Sequence, residues 1–171
     1  MKELTTIANL AEIIGAIIVI GGVGFAIIQI RIFSRQRLEA AAIEVIRSWQ
    51  SPEFTRASSI IQQLPDSISS AKLRAHSSDC EIKAMIIGNT FESFGVMVYR
   101  RIVPLALIDQ LVGGATVQLW RKLAVWVEET RKERSHEFFY EWFQWLAERL
   151  QEQPGFNMLE GAYLKYRKWT P

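Results

Sequence analysis

Residues 13–30 read IIGAIIVIGGVGFAIIQI, an uncharged run bounded by Glu12 and Arg31. At 1.5 Å per residue a helix of this length covers roughly 27 Å, close to the ~30 Å hydrocarbon core of a bilayer. Its eight isoleucines, two valines and one phenylalanine together favour insertion by roughly 3 to 7 kcal/mol, an upper bound that Gln29 and four glycines reduce. A cleaved signal peptide has a shorter apolar core and a small-residue cleavage site. Here the run continues directly into RIFSRQRLEAAAIEV. The reading that follows is a transmembrane helix, with the lipid bilayer as its first partner.

The flanks set the expected orientation. Arg31, Arg35 and Arg37 crowd the C-terminal end against Lys2 alone on the other side. The excess of cations places that end in the cytoplasm and the N-terminus outside. Within the run, Glu12, Gly15, Val19, Gly22, Ala26 and Gln29 recur at three- and four-residue steps and form one stripe. Gly22-x-x-x-Ala26 is a small-xxx-small pair that lets two helix backbones approach, and Gln29 can hydrogen-bond across such a contact. The stripe predicts a self-associating span, forming a homo-oligomer or binding another membrane subunit. A second reading has it lining a pore with Glu12 at the mouth.

Beyond the span the chain reads as all helix. Nothing breaks residues 25–49, so the membrane helix is expected to continue to about Trp49. Ser51-Pro52-Glu53 has the order N-cap, proline at N1 and acidic first turn, opening a helix that runs to about Gln63. Residues 65–78 are polar and turn-rich, with room for one short helix. A long helix is expected from Ser78-Asp79 to about Ile102, then a short one from Pro104 that Gly113-Gly114 closes. Helices over about 115–133 and 135–152 follow, and a last short one over 157–168. The fold class is all-α: an N-terminal transmembrane helix and a cytoplasmic helical bundle. The expected divisions are 1–31, the span with a short external tail; 32–50, a juxtamembrane helix continuing it; and 51–171, the cytoplasmic domain. Periodicity assigns Val117, Trp120, Leu123 and Val127 to one core face, and Phe138, Trp142, Trp145 and Leu146 to another.

Composition narrows the function. A chain of 171 residues with 49% hydrophobic and 22% charged residues is neither disordered nor polytopic. A net charge of +2 gives no bulk attraction for nucleic acid. Cys80 is the only cysteine, which excludes an intrachain disulfide and a thiolate-rich zinc site. His76 and His136 are the two histidines. Glu133-x-x-His136 matches half of a di-iron carboxylate motif, but Leu73 stands three residues before His76, so the second half is missing. Gly21-Gly22-Val23-Gly24 imitates a phosphate loop without its lysine, and there is no zinc-protease motif or nucleophile elbow. No catalytic residue, metal or cofactor is expected, and the chain is not expected to be an enzyme.

Two features remain. Met85, Gly88, Glu92, Gly95 and Tyr99 share a stripe of an apolar helix, whose glycines invite a close neighbour that would bury Glu92. A buried carboxylate needs a partner, and Arg131 is the expected one, giving a Glu92–Arg131 pin. Basic clusters at Arg100-Arg101, at Arg131-Lys132-x-Arg134, and at Lys165, Arg167 and Lys168 beside Trp169 are candidate anion contacts. With Arg31, Arg35 and Arg37, the tail suits anionic lipid headgroups.

The segment LAEIIGAIIVIGGVGFAIIQIR, with Glu92-x-x-Gly95, Trp120, Leu123 and Arg131, resembles an uncharacterised bacterial family of single-span, membrane-anchored helical proteins, domain of unknown function 4760. The resemblance implies one N-terminal span ending in Gln-x-Arg, matched by Gln29 and Arg31, and then a helical domain. The family has polar residues after that arginine where this chain has Ile32 and Phe33. It implies no activity. The function expected is a membrane-anchored interaction, scaffold or accessory protein; the alternative is an oligomeric pore-forming or membrane-perturbing effector.

Overall fold

The computed structural model describes the backbone of residues 2–153, 162–165 and 167–170, and their side chains except those of residues 2–14, 16, 17, 34, 35, 78, 162 and 165. Among the described residues there is no strand. The chain divides into two units, Met1–Ala40 and Ala41–Pro171.

The first unit is the N-terminal part of α1, Lys2–Trp49. No proline interrupts it, as the sequence predicts. The last turns of α1 belong to the second unit, where Val45 is fully buried and Ala41 and Trp49 pack on the core.

In the second unit, α2 (Pro52–Gln63) starts as its sequence dictates. Ser51 is extended, its hydroxyl accepts from the backbone N–H of Phe54 at 3.2 Å, and Pro52 supplies no donor where none is needed. Residues after Leu64 are held against α6 (Gly114–Arg134). The N–H groups of Ser67 and Ile68 donate to the carbonyls of Arg121 and Lys122. The buried Lys122 ammonium donates to the Leu64 carbonyl at 2.5 Å and to Asp66 at 3.1 Å. The short helix α3 covers Ser70–His76. Ser77, not Ser78, caps α4 (Ser78–Tyr99), with Asp79 and Glu81 in the first turn.

Helix α4 is the hub, packed against α2, α3, α6 and α7 (Glu141–Gln151). Phe91 sits at its centre. Its ring stacks on Phe143 at 4.9 Å and meets Phe54 and Phe94 edge-on. Val117, Leu123 and Val127 are buried and Trp120 is partly so, as the periodicity predicts.

Four expectations change. Helix α4 ends at Tyr99 rather than Ile102, because Arg101 takes a left-handed conformation. Gly113-Gly114 closes nothing: α5 (Leu105–Ile108) passes through a π-helical turn (Asp109–Gly113) into α6, and both glycines are right-handed helical. Burial of Ile108, Val112, Thr116 and Val117 carries the helix across them, because tertiary packing outweighs a propensity loss of about 1 kcal/mol per glycine. The helix expected from 135 starts only at Glu141, since Ser135 and Tyr140 are both left-handed. Phe138, expected in the core, lies in the intervening turn and is 66% exposed; Phe143 and Leu150 fill the interior instead. The last helix is described over Ala162–Lys165, and the rest of the expected 157–168 segment lies largely outside the described residues.

Candidate functional site

In the first unit the deciding property is chemical. Helix α1 is long and apolar enough to cross a membrane. Ile18, Val19, Ile20, Val23, Phe25, Ile27, Ile28, Ile30, Ile32 and Phe33 are all exposed, Ile20 by 72% and Phe25 by 63%. At 100° per residue these positions point in every direction around the axis. A helix on the surface of a water-soluble protein keeps a polar side, whereas one apolar all round belongs in a core or a membrane. On the expected association stripe, Gly15, Val19, Gly22 and Ala26 are exposed and Gln29 is half-buried. A Cβ added at Gly15, Gly21, Gly22 or Gly24 would meet nothing within 4 Å. The Glu12 side chain lies outside the described residues.

In the second unit the stripe on α4 is the seat of α7. Every member is used. Gly88 lies against the Tyr140 ring, which a Cβ would overlap, and Tyr140 donates its hydroxyl hydrogen to the Met85 carbonyl and to Asn89 Oδ1. Gly95 lies against the Trp142 carbonyl, again with no room for a Cβ. Tyr99 packs on Trp142 and Trp145, with ring centroids 4.5 and 6.2 Å away.

Between the glycines, Glu92 accepts the backbone N–H of Phe143 at 2.8 Å and lies near enough to that of Trp142 for it to favour the carboxylate. These are the second and third residues of α7, whose first N–H groups have no partner inside the helix. Tyr140, the residue at the N-cap position, is left-handed and makes no side-chain cap. Glu92 therefore caps α7 from across the interface, with its negative charge at the positive end of the helix dipole.

The expected Glu92–Arg131 pin is thus corrected. Among the described residues no ion pair joins them. Arg131 Nε donates to the Phe139 carbonyl at 2.9 Å and Nη1 to Gln144 Oε1 at 2.8 Å. Both residues hold the segment that leads into α7, but each through groups that α7 and its turn leave unsatisfied. Burial pushes the Glu92 carboxyl above its ordinary value; the two N–H donors and, least of all, the charge of Arg131 oppose that. Burial also raises the Tyr140 hydroxyl, which the nearby Glu92 carboxylate reinforces.

The remaining candidates disperse. Glu133 of the half di-iron motif pairs with Arg74 at 2.7 Å, and Arg74 also reaches Glu81. Arg134 reaches Glu81 as well, at 3.5 Å. Of the Arg131-Lys132-x-Arg134 cluster, two cations are thereby engaged. Cys80 is buried in the core. An open cleft of about 780 Å³ lies over the turn after α6, lined by Arg131, Lys132, Ser135, His136, Glu137 and Phe138. It lies where the chain leaves α6 at the left-handed Ser135, a break that helical periodicity does not announce. Arg31, Arg37, Arg167 and Lys168 are exposed, while the side chains of Arg35 and Lys165 lie outside the described residues.

No curated protein matches the chain, and no solved structure does. The model of one family, described as a domain of unknown function, matches residues 16–150, which takes in the apolar run from its fourth residue and the bundle as far as the end of α7. The chain belongs to that family, DUF4760.

Proposed function

We propose that the protein is a membrane-anchored helical interaction or accessory protein, held in the bacterial cytoplasmic membrane by α1 and acting through its bundle on the cytoplasmic side. The observation that carries this is the apolar surface of residues 18–33, whose large side chains are exposed all round the helix. Lipid is the solvent that suits such a surface. The clustered Arg31, Arg35 and Arg37 support an external N-terminus under the positive-inside rule.

The span associates with further copies of itself or with another membrane subunit through Gly15, Val19, Gly22, Ala26 and Gln29. The open space at each of these glycines supports that reading, because close backbone approach needs it. Mass measurement of the intact complex extracted in mild detergent tests it. The wild type should run as an oligomer or with a co-purifying membrane subunit, and G22L/A26L should run as a monomer of 19.6 kDa. A wild type that is already monomeric and alone would contradict the association.

A further inference from the structure

The C-terminal end of α4 carries an exposed patch whose two arginines have no part in the core or in the capping of α7. Tyr99 is 57% exposed, and its ring closes a cluster with the half-buried Trp142 and Trp145, whose own centroids are 5.9 Å apart. Next in the chain come Arg100 and Arg101, both exposed, and Ile102, 52% exposed. Among the described residues neither arginine makes an ion pair.

The backbone there is unusual in a telling way. The Arg101 N–H donates to the Val98 carbonyl and the Ile102 N–H to that of Met97, both at 2.9 Å. This is a Schellman turn, in which the residue after the cap must be left-handed and is most often glycine. Here Arg101 holds that position, with φ of 56°. A side chain bears a steric cost there that glycine avoids. What the arginine gains the surface is a second cation, between the exposed Tyr99 and Ile102 in the chain.

We infer that Tyr99, Arg100, Arg101, Ile102, Trp142 and Trp145 form a contact surface for anionic phospholipid. Aromatic rings with a polar tip partition to the headgroup level, arginine stems cover apolar surface while their heads reach phosphate, and each cation near a negative bilayer adds attraction. An apolar partner alone would leave two unpaired guanidinium groups, and a purely acidic one would leave Ile102 and the rings in water. The headgroup region of an anionic bilayer satisfies both. The inference rests on membrane residence, since a chain without an anchor would meet lipid rarely.

The test uses the full chain in nanodiscs of brominated lipid, which quenches tryptophan fluorescence on contact. Co-elution with the discs reports the anchor separately, so failure to incorporate counts against membrane residence and not against this surface. The signal is the quenching lost in W142F/W145F, which keeps the Cβ packed on Gly95. Discs containing phosphatidylglycerol should quench these two tryptophans at least twofold more than discs of phosphatidylcholine alone. R100Q/R101Q, altered only at exposed side chains, should lose that excess. R101G should lose part of it while unfolding at no lower temperature than wild type, because glycine suits the turn. Equal quenching in neutral and anionic discs, no quenching, or an excess that survives R100Q/R101Q would overturn the inference. So would shielding of the two tryptophans that depends on a bound protein rather than on lipid.

Discussion

Glu92 shows how a single side chain connects two helices through backbone groups. Removing its carboxylate in Glu92→Ala strips α7 of its cap and leaves the Phe143 N–H unpaired, which should cost about 1–3 kcal/mol in urea unfolding. Glu92→Gln keeps an acceptor without a buried charge and should cost less than about 1 kcal/mol at neutral pH. The two also separate by pH. Because burial raises the folded-state value, the Glu92 carboxyl binds its proton more tightly in the folded chain than in the unfolded one. The contribution is then fully present below the ordinary carboxylate range and is lost as pH rises through the raised value. Wild type should lose stability relative to Glu92→Gln across that interval, and a constant difference would refute the assigned cause. The stripe itself was legible, since Gly88 and Gly95 one turn either side of Glu92 announce a close neighbour. The partner was not. Arg131 was the nearest opposite charge by reasoning from side chains, whereas the real claimants were main-chain groups that appear only when α7 starts late.

At the level of elements, two glycines of different meaning test the packing account. Gly95→Ala drives a Cβ into the backbone carbonyl of Trp142 and should destabilise by about 1–3 kcal/mol, as overpacking does. Gly114→Ala meets nothing within 4 Å at a right-handed helical residue and should stabilise by about 0.5–1 kcal/mol. Thermal unfolding of both reads the sign directly; a loss of stability in Gly114→Ala would restore the helix break that the dipeptide suggests. Local signals decided the starts of α2 and α4, where Ser51 and Ser77 cap within their own segment. They failed over residues 135–140, because left-handed serine and tyrosine have no sequence signature comparable to glycine. In that conformation the Tyr140 ring lies on Gly88 and its hydroxyl reaches Met85 and Asn89. Those contacts join residues more than fifty positions apart.

On the scale of the whole molecule, the two units obey opposite solvent rules. The bundle buries Phe54, Phe91, Trp126 and Phe143 almost completely, while the described part of α1 before residue 34 buries no large apolar side chain. The all-helical class and the bundle were legible because 3.6-residue periodicity survives wherever one side of a helix meets a core. A helix long and apolar enough to cross a membrane was legible for the opposite reason, since residues 13–30 offer almost no polar side to turn toward water. The proposed association of this helix would run through Gly22 and Ala26, so a reporter of transmembrane-helix pairing in a membrane should show at least a fivefold loss for Gly22→Leu. The central claim is that lipid solvates residues 13–30, and alkaline extraction of membranes carrying the full-length chain tests it most directly. The protein should stay in the membrane pellet after carbonate and leave it only with detergent. Recovery of the full-length chain in the soluble fraction without detergent would contradict the account.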